Sequence, residues 1–205
     1  MSSLLLRGFA LGFAVAASPG PIFFLCLRRT LLRGRWYGLI SGLGVATADS
    51  LYAALASLGV AAVATAIAGG RRPLAVIGGA VLIALGARIL LERRQEQKGA
   101  PATTGTGLAW AYLSTLGLTI TNPATIISFA ALAATLGLGT GAGLIKPAVL
   151  VGGVLLGSAA WWCVLAVAAS LLRTRLTPGV IRGVTAFSGL AIAVLGMLAI
   201  YSAFS

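Results

Sequence analysis

Apolar residues run through this chain in long unbroken blocks. They do not alternate with polar residues as in a half-buried strand, nor follow the spacing of an amphipathic helix with one wet face. The blocks cover residues 4–27, 37–61 (running on toward 68), 73–91, 108–136, 147–172 and 178–203. A helix crosses the hydrocarbon core of a bilayer with about 20 residues, so each block predicts one span. Pro73, Pro147 and Pro178 stand at block beginnings, where a missing N–H costs nothing. Gly69-Gly70 and the stretch GLGTGAG at 137–143 read as connections. The pattern predicts an all-α polytopic membrane protein of six transmembrane helices in a single membrane domain, with no soluble domain beside it.

Two of the six blocks carry helix breakers at mid-depth. The first holds Ser18, Pro19, Gly20 and Pro21, and the fourth holds Thr121, Asn122 and Pro123. Three spans separate the two breaks, and further matches follow in register. GVATADSLY from Gly44 aligns with GVLLGSAAW from Gly153 at an offset of 109, and GAVLIALG from Gly79 aligns with GLAIAVLG from Gly189 at an offset of 110. The breaks themselves align at 103, the difference being absorbed by a longer connection after the fourth span. Together they predict an internal duplication, with residues 1–91 as repeat 1, 92–107 as a cytoplasmic loop and 108–205 as repeat 2. A three-helix unit is odd-numbered, so its second copy enters from the opposite side and the repeats are inverted. Broken helices meeting at the midplane of inverted repeats are a common plan of secondary transporters. A break leaves backbone N–H and C=O groups that lipid cannot satisfy, so they must line a polar cavity or meet a ligand. The positive ends of the half-helices after Pro21 and Pro123 favour a carboxylate there. A kink that serves only helix packing is the plain alternative, and it fits one break better than two at matching depth.

Composition sharpens this picture. The chain is 59% hydrophobic and 9% charged, against roughly a quarter charged in soluble domains. Its net charge of +12 points to headgroups, with no nucleic acid as partner, because the basic residues collect at span ends. Arg28, Arg29, Arg33, Arg35, Arg88, Arg93, Arg94, Lys98, Arg173, Arg175 and Arg182 fall on one face, against Arg7, Arg71, Arg72 and Lys146 on the other. The positive-inside rule then puts the 92–107 loop in the cytoplasm and both termini outside. Trp36, Tyr37, Trp110 and Tyr112 read as interfacial anchors.

Asp49 is the one acidic residue inside any apolar block. An ionised carboxylate at that depth costs at least a few kcal/mol unless it meets water, a cation or a donor. It reads as a proton-coupling group or the partner of a substrate ammonium; a carboxylate bonded to a hydroxyl of the next helix is the structural alternative. The repeat sets Ser158 opposite it, so the acid has no acidic counterpart. Tyr52 lies close in sequence, and Trp161 and Trp162 lie deep enough in the fifth span for one of them to line the same cavity; Tyr52 and Trp161 join the residues of the two breaks as the candidate substrate-binding set. With Cys26, Cys163 and no histidine, no metal site and no cofactor are expected.

SPGP in the first span, Asp49 in the glycine-spaced second and TNPA in the fourth resemble the LysE/RhtB family of amino-acid exporters, across essentially the whole chain. The resemblance implies a multi-pass protein of the bacterial inner membrane that exports an amino acid or related small metabolite, driven by proton antiport, as a homodimer. It makes Pro19, Gly20, Pro21, Asp49, Asn122 and Pro123 the family's motif positions. Many members carry a basic residue after Asn-Pro, where this chain has Ala124. Competing readings are a metal-ion exporter of the same superfamily, disfavoured by the lack of histidine, and a CcdA-like thiol electron carrier, which needs two cysteines beside the two breaks. A non-transporting scaffold would leave Asp49 and both breaks without a purpose.

Overall fold

The computed structural model describes residues 1–57, 72–73, 76–91, 107–122, 125, 128–129, 145–173 and 175–204. All regular structure among them is helical: α1 (Ser2–Ala17), α2 (Pro21–Arg33), α3 (Arg35–Ser57), α4 (Val76–Leu91), α5 (Leu108–Ile120), α6 (Ile145–Arg173) and α7 (Pro178–Tyr201). Three of these, α3, α6 and α7, are long and apolar enough to cross a membrane, and α1 with α2 makes a fourth candidate span, bent by 78° at its break. Large apolar side chains such as Leu156, Leu171, Phe187 and Leu198 point outward, as they do where the solvent is lipid. The chain is a polytopic α-helical membrane protein.

The first block is divided as its breakers require. Ser18 and Gly20 are both extended, with φ/ψ of −66°/123° and −151°/−176°, and Pro21 opens α2 at the position where proline is most at home. One expectation changes at the other end of α2. The first apolar block ends at residue 27, but the helix continues through Arg28, Arg29 and Arg33. RRTLLR consists mostly of straight-chain helix formers, and the turn is delayed until Gly34. That glycine alone joins α2 to α3. Its φ of 91° with ψ of 176° lies in a region essentially restricted to glycine. Two other boundaries shift slightly: α3 begins at Arg35, and α6 begins at Ile145 with Pro147 still in its first turn. Thr177 caps α7, accepting a hydrogen bond from the Val180 N–H at 3.4 Å. The fourth span is described as a helix to Ile120; most of its remainder, and the 92–107 loop, lie outside the described residues.

Two helix pairs pack through glycine. A Cβ on Gly8 or Gly12 of α1 would strike the Leu150 or Val154 backbone of α6, and one on Gly153 or Gly157 of α6 would strike α1 at Leu5 or Phe9. In the second pair, Gly79 of α4 faces the Gly196 carbonyl of α7 and Gly86 faces that of Gly189. Small residues let helix backbones approach closely enough for dispersion to hold them in lipid. Between α3 and α5 the contact is instead polar. Thr115 donates to the Ser41 carbonyl at 2.7 Å and Tyr112 to the Thr47 hydroxyl at 3.0 Å, while Tyr52 donates to the Ile120 carbonyl.

Candidate functional site

The break in the first span opens onto a cavity of about 90 Å³, room for several water molecules. Ser18, Pro19, Gly20 and Pro21 form one side of it, Asp49 of α3 and Trp162 of α6 the opposite side, and Asn122, Thr125 and Ser128 a third. Residues from four regions far apart in sequence thus converge on one small polar chamber.

Asp49 is 1% exposed. Its Oδ2 accepts a hydrogen bond from Ser158 of α6 at 2.7 Å, the bond to a neighbouring helix's hydroxyl that was the structural alternative for this acid. Its Oδ1 is buried and meets no hydrogen-bond partner among the described residues, and the Trp162 indole N–H, in the wall of the same cavity, is likewise unmatched. Buried polar atoms in native proteins nearly always find a partner in protein or water. One acceptor and one donor held open in the same chamber therefore mark a place for something that supplies both. The backbone adds donors: α2 has no side-chain cap, and its first intrahelical bond runs from the Phe24 N–H to the Gly20 carbonyl. The Ile22 and Phe23 N–H groups, at cavity-lining residues, consequently lack partners within the helix.

Not every residue expected at the site lines this chamber. Thr121 donates its hydroxyl to the Gly117 carbonyl at 3.0 Å and closes the end of α5. Tyr52 stacks on Phe129 with ring centroids 6.0 Å apart and reaches Ile120, bracing α3 beside Asp49 without entering the cavity. Trp161 is turned against Phe13, edge to face at 5.3 Å, and Trp162 takes the place expected of it. The spacing was readable: Trp162 is four residues after Ser158 and so shares its helix face, whereas composition and depth cannot separate neighbouring tryptophans. Thr125 and Ser128 were not singled out, although they stand three and six residues beyond Asn122; Asn122 in fact donates to the Thr125 hydroxyl at 3.1 Å. Pro123 and Ala124 lie outside the described residues.

Arg29 was expected to mark only membrane orientation. It donates from one nitrogen to the Ser41 hydroxyl at 3.0 Å and the Ala111 carbonyl at 2.9 Å, and from the other to the Ser114 hydroxyl at 2.8 Å. It ties α2, α3 and α5 together. The cysteines are both free, Cys26 buried in α2 and Cys163 exposed on α6.

An interrupted span enclosing a buried acid, set among apolar helices, has the build of a membrane carrier for small solutes. The family comparison agrees: the model for the LysE type translocator matches residues 13–203, and the chain belongs to that family, whose members are transporters rather than enzymes. No curated protein and no solved structure matches the chain.

Proposed function

We propose that this protein exports an amino acid or a closely related small metabolite from the cytoplasm by proton antiport, with Asp49 as the group that alternates between proton and substrate. The observation that carries the reading is the state of the Asp49 carboxylate. One oxygen is committed to Ser158, and the other has no partner among the described residues, in a side chain that lines the cavity at the helix break. A single open oxygen takes a proton or a substrate ammonium, not both. Mutual exclusion at one atom is what makes an exchanger: the proton arriving from outside displaces the substrate, and the next substrate from the cytoplasm displaces the proton. The substrate carboxylate would lie toward the Ile22 and Phe23 N–H groups at the positive end of α2, with the Trp162 N–H and the Asn122 amide beside it. These neutral donors stand in for the basic residue that many relatives carry at the position of Ala124.

The two halves are read as inverted repeats. Exchanging them at the offsets of 109 and 110 carries the Asp49–Ser158 pair onto itself and the Gly79–Gly196 contact onto Gly189–Gly86, which supports the reading. The arginine-rich end is read as cytoplasmic, in a bacterial inner membrane, with both termini outside. A homodimer is proposed from the family resemblance.

The test is efflux from cells loaded with dipeptides, followed for each released amino acid, together with pH-gradient-driven exchange in proteoliposomes. Overproduction of the wild type should speed efflux, and Asp49→Asn should abolish both activities while the protein still inserts. An Asp49→Asn variant that exports at the wild-type rate would overturn the assignment.

A further inference from the structure

Three helices run from the Asp49 chamber toward the arginine-rich end, and each presents the same order of residues along one face. From the chamber, α2 carries Ile22, then Leu25 and Cys26, then Arg29. Along α3 the order is Asp49, Val45, Ser41, and α5 carries Leu118 and Ser114 on the far side of Asn122. Spacings of three, four, seven and eight keep each set on one helix face. Arg29 is eight residues from Pro21, Ser41 eight from Asp49 and Ser114 eight from Asn122, about 12 Å in each case at 1.5 Å per residue. The middle layer is tightly packed: Leu25, Cys26, Val45 and Leu118 are 1–6% exposed and form one cluster with Ile22 and Trp162 of the chamber wall. In the outer layer Arg29 donates to the Ser41 hydroxyl, the Ala111 carbonyl and the Ser114 hydroxyl, so one side chain draws all three helices together at one level. Leu25 and Arg29 also line a second cavity, of about 70 Å³. About one turn of α2, from Ile22 to Leu25, separates the two cavities.

We propose that these two layers are the gate between the chamber and the arginine-rich end, closed in this structure, with Arg29 as its bolt. Release of the three Arg29 bonds lets Leu25, Cys26, Val45 and Leu118 part and opens Asp49 to that side. The partners of Arg29 suit a closure that must be undone: two hydroxyls and a carbonyl are groups that water replaces at small net cost. The apolar layer keeps water out while the bolt is shut, and the fixed arginine sets which faces of α2, α3 and α5 meet when it closes. The inference rests on the reading of the chamber as the transport site, and not on Asp49 carrying the proton.

Cys26, native to the middle layer, is the reporter, in the full chain carrying Cys163→Ala. Its reaction with the membrane-impermeant anion sulfonatoethyl methanethiosulfonate is followed by mass in intact cells and in inverted membrane vesicles. Arg175→Cys, at an exposed position of the arginine-rich end and in a chain lacking both native cysteines, shows which preparation presents that end. Three interhelical bonds at their usual worth in membranes amount to about twentyfold in an opening equilibrium. Arg29→Gln should therefore speed Cys26 labelling by about that factor, from the arginine-rich side alone. Ser114→Ala removes one bond and keeps the charge, and should give about threefold; should Arg29→Gln fail to fold, this variant decides. Arg29→Lys, with its donors on a single nitrogen, should fall between wild type and Arg29→Gln. Rates unchanged in Arg29→Gln and Ser114→Ala, equal labelling from both sides, or labelling only from the side opposite position 175 would each overturn the gate. Unchanged rates beside an inactive Asp49→Asn would remove the gate and leave the transport reading standing. Export by Asp49→Asn beside one-sided labelling would do the reverse.

Discussion

The α1/α6 and α3/α5 contacts are built from different chemistry. Gly8, Gly12, Gly153 and Gly157 bring α1 and α6 together by close approach alone, and no side chain of α1 makes a hydrogen bond among the described residues. Thr115, Tyr112 and Tyr52 bind α3 and α5 through directed hydrogen bonds, and Arg29 adds three more from α2. Dispersion between smooth surfaces has little preference for register, whereas a hydrogen bond fixes one. The two seams thus differ in kind: one is held by close approach, the other by directed bonds.

Four substitutions probe that contrast, in falling order of effect. Gly157→Leu drives a side chain into the α1 backbone at Phe9; it should cost about 3 kcal/mol or more and abolish export, seen as loss of a cooperative unfolding transition in detergent. Arg29→Ala removes three bonds and strands the groups it held; a loss of about 2–3 kcal/mol is expected, with the α3/α5 seam loosened. If Arg29→Ala is as stable as wild type, its bonds do not hold that seam. Gly34→Ala places a side chain in a region disfavoured for any Cβ and should cost about 1–3 kcal/mol, measurable as a lowered melting temperature. Thr115→Val exchanges one interhelical bond for a methyl group and should cost about 0.6 kcal/mol, the usual worth of such bonds in membranes, with efflux nearly unchanged.

Much of the architecture was legible in the sequence, because a bilayer allows so few solutions. Helix character, the positions of α3, α6 and α7 and the break at Ser18–Pro21 follow from apolar length and proline chemistry. The Asp49–Ser158 bond is of the kind that the sequence offered as the structural alternative for this acid, a carboxylate held by a hydroxyl of a neighbouring helix. The division of labour among side chains was not legible. Arginines at a span end look alike in a sequence, and only the fold separates Arg29, turned inward onto Ser41 and Ser114, from exposed neighbours such as Arg33. Trp161 and Trp162 differ by the 100° turn between adjacent helix positions, and hydropathy carries no information about that angle. Tyr52 and Thr121 were close to the site along the chain but spend their hydroxyls on backbone carbonyls.

The joint at Gly34 has a mechanical meaning. A single residue cannot act as a slack tether, so α2 and α3 are coupled there like two arms of a bent lever. At its opposite end α2 is reached through the extended residues between Ala17 and Pro21. Any displacement of α2 is therefore transmitted directly into α3, the helix that carries Asp49.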